Sequence, residues 1–154
     1  MKNRTTTTTA RLDSTPMPVQ VKMAAAWTSL MFLYAYVDIY GFYKPGVVDG
    51  ILNGQVFEFD VSAILLTTFV ALLGIPAMMV MLSTALPARV NRGANLIIAT
   101  LYIPVTVFNA TGETWEWAPF YGLSITLELV LLAAILRWAW TWPRAVSTAE
   151  NVAA

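Results

Sequence analysis

The stretch VSAILLTTFVALLGIPAMMVML, Val61–Leu82, decides how this chain is read, because it carries no charged side chain. A helix rises about 1.5 Å per residue, so about 20 apolar residues suffice to cross a hydrocarbon core of about 30 Å. Asp60 is placed to cap the start of the run. Gly74 and Pro76 lie inside it and predict a kink, which helices in a bilayer tolerate.

Three comparable runs lie on either side. The first, about Met23 to Tyr43, would be about 31 Å long as a helix and is stopped by Lys44, Pro45 and Gly46. The third, about Gly93 to Ala110, is the shortest and most polar and contains Pro104; the fourth runs from about Pro119 to Trp140. Between the first two, Val47, Val48, Ile51 and Leu52 recur at helical spacing in a segment too short to cross, which predicts a small amphipathic interfacial turn over Val47–Gly54. Ser83–Arg92 reads as a hinge with Pro87, Arg89 and Arg92, and Thr111–Trp117 as a short acidic turn. Residues 1–21, with the threonine run Thr5–Thr9 and Pro16 and Pro18, and residues 143–154 read as disordered cytoplasmic tails. No small-x-small cleavage pattern follows the first run, so a cleaved signal peptide is not expected. The expected fold is all-α, an antiparallel up-down-up-down four-helix bundle forming a membrane domain over 22–142.

Composition agrees. The chain is 58% hydrophobic and 12% charged, with a mean hydropathy of +0.64, against about 25% charged in a soluble domain. The formal net charge of zero supplies no basic field for nucleic acid. Cysteine and histidine are both absent. Their absence removes disulfides and the usual ligands and bases of zinc, haem and triad chemistry. No metal, cofactor or enzymatic activity is therefore expected.

Orientation follows from the basic residues. With alternate crossings, Lys2, Arg4, Arg11, Lys22, Arg89, Arg92, Arg137 and Arg144 share one side and only Lys44 falls on the other, which makes the first side cytoplasmic. Arg89, Arg92 and Arg137 are expected to set topology and meet lipid phosphate. Asp49, Glu58, Asp60, Glu113 and Glu116 gather outside. Tyr40, Tyr43, Trp115, Trp117 and Tyr121 mark the outer interface, and Trp138, Trp140 and Trp142 the inner one.

Two acids fall within spans, Asp38 and Glu128. Even insertion scales charge about 2.5–3.5 kcal/mol for such a group at mid-helix, so each must face protein or water, accept hydrogen bonds, or be protonated. Helical rise puts Asp38 about 7–8 Å below the outer interface, Glu128 about 13 Å deep, and Thr67 and Thr68 about 10–12 Å down. Tyr102, Thr106 and Asn109 share a stripe, Ser124 lies one turn above Glu128, and Tyr34 one turn below Asp38. The expectation is an outward-opening polar pocket of Asp38, Glu128, Tyr34, Thr67, Tyr102, Thr106, Asn109 and Ser124, above inner halves of the second and fourth spans that are almost wholly apolar. The plainer reading is that the hydroxyls and amides hold helices together, as they routinely do in membranes. Intramembrane acids, by contrast, point to function by default.

The runs Tyr34-Ala35-Tyr36-Val37-Asp38-Ile39, Arg89-Val90-Asn91-Arg92-Gly93-Ala94-Asn95 and Tyr121 through Leu127-Glu128-Leu129 resemble a family of small bacterial four-span membrane proteins of unknown function. The resemblance covers about Val21 to Trp142. In span count alone the chain is also similar to DoxX-like four-helix membrane proteins. What the resemblance implies is the architecture and an inner-membrane location; it implies no activity.

Two functions from different classes remain open. One is a protein that binds or moves a small molecule or proton at the polar pocket; the other is a non-catalytic structural or accessory subunit. An intramembrane enzyme would need a nucleophile–base set or metal cluster and ranks last. Expected partners are the lipid bilayer, a small-molecule ligand and a second copy of the chain, with no nucleic acid.

Overall fold

A computed structural model describes residues 16–143; the expectations for the outer parts of both tails lie outside the described residues. The fold is all-α in its framework, with four long helices packed antiparallel: α1 (Val19–Gly41), α3 (Ala63–Ala85), α4 (Ala88–Phe108) and α5 (Ala118–Trp140). A six-residue helix, α2 (Val47–Leu52), and a small hairpin, β1 (Gln55–Val56) with β2 (Phe59–Asp60), fill the connection between α1 and α3.

Prolines set several boundaries. α1 begins at Val19, inside the stretch expected to be disordered, because the Pro18 carbonyl accepts from Val21 and Lys22 N–H at 3.1 and 3.2 Å. The expected hinge Ser83–Arg92 shrinks to Leu86 and Pro87. α3 continues to Ala85, Leu86 is extended (ψ 147°) as a residue before proline prefers, and Pro87 opens α4 five residues before the expected start. Ser62, not Asp60, caps α3, its Oγ accepting from Leu65 N–H at 3.1 Å. Asp60 is taken up by β2, where it pairs with Gln55. The hairpin has no counterpart in the sequence reading. Its signal is weak: a two-residue turn at Phe57 and Glu58 without glycine, with Phe57 in the left-handed region (φ 55°) that bulky residues rarely adopt.

In cross-section the long helices run α3–α1–α5–α4, with a lighter seam closing α4 back onto α3. α1 and α4 therefore stand on a diagonal and meet through long side chains. The core joins Trp27, Leu30 and Tyr34 of α1, Met79 of α3, Ala99 and Tyr102 of α4, and Leu132 and Ile135 of α5. The Trp27 and Tyr102 rings cross that diagonal edge to face, 6.3 Å apart at 87°.

Beside this apolar core, several polar groups are buried and large apolar side chains stand exposed. Ser83, Asn91, Asn95, Thr106, Ser124 and Glu128 are buried, whereas Ile64 is 80%, Val70 71% and Leu123 63% exposed. α3 and the segment Trp115–Trp140 are long and apolar enough to cross a membrane by length and composition.

Candidate functional site

α5 turns one face to the interior, and that face changes character along its length: Tyr121, Ser124 and Glu128 toward one end, then Leu132, Ile135 and Ala139. The spacing of three and four residues is that of a single helical face. α4 presents the matching face Asn91, Asn95, Ala99, Tyr102 and Thr106. Where the two polar ends meet, Tyr34 reaches across from α1 and its hydroxyl lies 3.0 Å from Thr106 Oγ1. Glu128 faces Thr106 and lies within electrostatic reach of Tyr34 and Asp38. Its residue is 1% exposed and its Oε2 has no hydrogen-bond partner. No basic side chain forms an ion pair with it among the described residues.

The eight residues expected to share a pocket separate into three groups. Tyr34, Tyr102, Thr106, Ser124 and Glu128 are buried on facing helices. Asp38 is exposed near the C-terminal end of α1, close enough for its charge to act on Glu128, and does not join the buried group. Thr67 and Asn109 do not join. Thr67 is exposed and donates to the Ala63 carbonyl of its own helix at 2.7 Å, and Asn109 is the exposed C-cap of α4. Helical depth placed Thr67 at the right level, but depth says nothing about which way a residue faces. Arg89 and Arg137 are exposed at one end of the bundle, and Arg92 is half-buried there.

A clasp closes the opposite end. Lys44, in the turn after α1, donates to Glu113 Oε2 at 2.5 Å and to the Tyr121 hydroxyl at 3.1 Å, with its ammonium 4.9 Å from the Tyr121 ring centroid and 5.3 Å from that of Trp117. Burial pulls this ammonium toward neutrality, but the bonds to Glu113 and Tyr121 outweigh it and raise the pKa above the ordinary lysine value. Tyr121 heads the buried column of α5, so the clasp lies at the end of the helix face that carries Ser124 and Glu128. Sequence spacing could not pair Lys44 with Glu113, 69 residues away.

A second polar cluster lies toward the other end, built from α1, α4 and Ser83 at the end of α3. Trp27 Nε1 donates to Asn95 Oδ1 at 2.7 Å, Asn95 Nδ2 to Asn91 Oδ1 at 2.7 Å, and Asn91 Nδ2 to the Ser83 carbonyl at 2.6 Å. These four residues are fully buried. The i, i+4 spacing of Asn91 and Asn95 on the same stripe as Tyr102 was the available signal.

α4 also supplies three caps that follow one rule. A proline has no N–H, so the carbonyl four residues before it loses its helical donor. Pro76 frees Leu72 O, which accepts from the Tyr102 hydroxyl; Pro87 frees Ser83 O, which accepts from Asn91; Pro143 leaves Ala139 O, which accepts from Arg92 Nε at 3.0 Å. Each donor belongs to α4. The Arg89–Asn95 run is thereby accounted for in large part as a set of caps.

The model of a family described as a family of unknown function, DUF6326, matches residues 19–146, and the chain belongs to that family. No curated protein and no solved structure matches it.

Proposed function

We propose that this chain is a bacterial inner-membrane protein that crosses the bilayer four times, with both tails cytoplasmic, and binds or moves a proton or small molecule at an outward-facing polar site around Glu128. Its membrane placement draws support from the exposed apolar faces of α3 and α5. Only 11% of the apolar window of α3 and 28% of that of the α5 segment are buried, whereas a soluble core helix of such hydropathy would be mostly covered. Large exposed apolar surface of this extent needs lipid or protein against it.

The site rests on one observation: a carboxyl group 1% exposed, with one oxygen unpartnered and no basic residue beside it. Such a group is costly wherever it is retained and is a functional candidate by default. Tyr34, Thr106 and Ser124 are buried with it, Asp38 is exposed on α1 within reach of its charge, and the Lys44–Glu113 clasp lies at the same end of the bundle. In this reading the chain is not an enzyme, needs no cofactor or metal, does not bind nucleic acid, and works in the bilayer with a small ligand and a second copy of itself.

The test is reconstitution of wild type, Glu128→Gln and Asp38→Asn in vesicles loaded with a pH-sensitive dye, alongside growth assays. The Glu128→Gln protein should fold and lose proton or ligand movement. If every transport and growth phenotype survives both changes, the site reading fails. The accessory-subunit alternative would then stand, favoured by the number of polar side chains that already act as caps.

A further inference from the structure

The cytoplasmic end of the α4–α5 interface carries a groove of about 400 Å³ lined by Leu96, Thr100, Leu136, Arg137, Trp140 and Thr141. Its walls are mostly apolar over its length, and its one charged lining residue, Arg137, is exposed at the end where α5 stops. Arg137 has no acidic partner among the described residues. Arg92 brings a second guanidinium to the same end, where its Nε binds the Ala139 carbonyl beside Trp140. All the described acids lie in the outer half or outside, so nothing of opposite charge on the described chain answers these two cations.

We infer that this groove binds one anionic phospholipid of the cytoplasmic leaflet, with its phosphate at Arg137 and an acyl chain along Leu96, Thr100 and Leu136. Dimensions agree: from Ala88, where α4 begins, to Thr100 is about 18 Å along the axis, close to one leaflet's share of a core about 30 Å thick. Trp140 is 73% exposed at the level where an indole ring meets headgroups. A planar guanidinium suits a phosphodiester, which it can hold by two parallel bonds. A zwitterionic lipid offers the same chains but sets its own cation beside Arg137 and Arg92. The inference rests on the membrane reading above and is independent of Glu128.

Native mass spectrometry of the purified full chain, given equal amounts of phosphatidylglycerol and phosphatidylcholine, tests it. One phosphatidylglycerol should be retained preferentially. Arg137→Gln should weaken that retention roughly fivefold, the worth of one basic residue at an anionic surface. Thr100→Phe, which fills the deep end of the groove, should lower retention without altering charge. Equal retention of both lipids, or no change on Arg137→Gln, overturns the inference. So does competition by inorganic phosphate as effective as that by short-chain phosphatidylglycerol, which would mark a plain anion site. Insertion into phosphatidylcholine vesicles is measured separately: failure there removes the membrane reading, whereas insertion without lipid preference removes only this site.

Discussion

At the scale of single residues, Glu128, Tyr34 and Lys44 carry the sharpest consequences. Glu128→Gln keeps the shape of the side chain and replaces an acid with an amide that can donate toward Thr106. Its melting temperature in detergent should match or exceed that of wild type while transport is lost, because removing an uncompensated buried acid relieves a desolvation cost. Tyr34→Phe removes the contact to Thr106 and should cost about 0.6 kcal/mol and no more than about 1.7, the range for side-chain bonds between membrane helices. Lys44→Met breaks the clasp and should destabilise by about 1.5–3 kcal/mol, the worth of hydrogen bonds to a charged group. Since the folded protein raises the Lys44 pKa, that stabilisation is fully present below the ordinary lysine value of 10.5. It is lost as pH rises through the higher folded value, so wild-type and Lys44→Met melting curves should converge only in strong alkali. The burial of Glu128 was legible because an acid in an apolar run must turn from lipid or solvent-exposed apolar surface toward protein. Lys44 was legible as an outlier in the charge pattern, but its partner was not, since no local rule joins residues so far apart in sequence.

Among the helices, α4 is the element on which the others depend. Its sequence looked the least suited to a span: asparagines at 91 and 95, a tyrosine, a threonine and Pro104. Those residues are its contribution, because they satisfy groups that prolines elsewhere leave bare. Tyr102→Phe should therefore cost about 1 kcal/mol by leaving the part-buried Leu72 O without its donor. In a Pro76→Ala background the same change should cost less, because the alanine supplies the missing N–H. Unfolding of the four proteins of this cycle measures the coupling, and additive costs would sever the link between Tyr102 and Pro76. The prolines were visible in the sequence and so were the donors. Matching them required knowing which helices are neighbours, which periodicity does not encode.

For the molecule as a whole, the count of four long helices and their antiparallel alternation were readable from apolar runs, stops and prolines. The Lys44 clasp at one end and the hydrogen-bonded cluster toward the other were not, since both arise from contacts across the bundle. Orientation can be tested directly because the chain has no cysteine. The single-cysteine variant Glu116→Cys should react with a membrane-impermeant maleimide on intact cells, and Thr141→Cys only after lysis. Labelling of both on intact cells, or the reverse pattern, would overturn the assigned topology.

Under the membrane placement proposed above, the caps made by α4 also constrain the order in which the chain can enter a bilayer. A solitary α3 would carry Leu72 O into hydrocarbon with neither a helical donor nor water, and in lipid each such group costs several kcal/mol. Tyr102 and Asn91, which answer Leu72 and Ser83, lie 30 and 8 residues further along. α3 is thus an incomplete insertion unit until α4 has been synthesised, and the abrupt Leu86–Pro87 connection makes the two a hairpin that leaves the translocation machinery together. Truncation of the nascent chain before Tyr102 should leave α3 lingering at the lateral gate, and extension past it should release both helices at once.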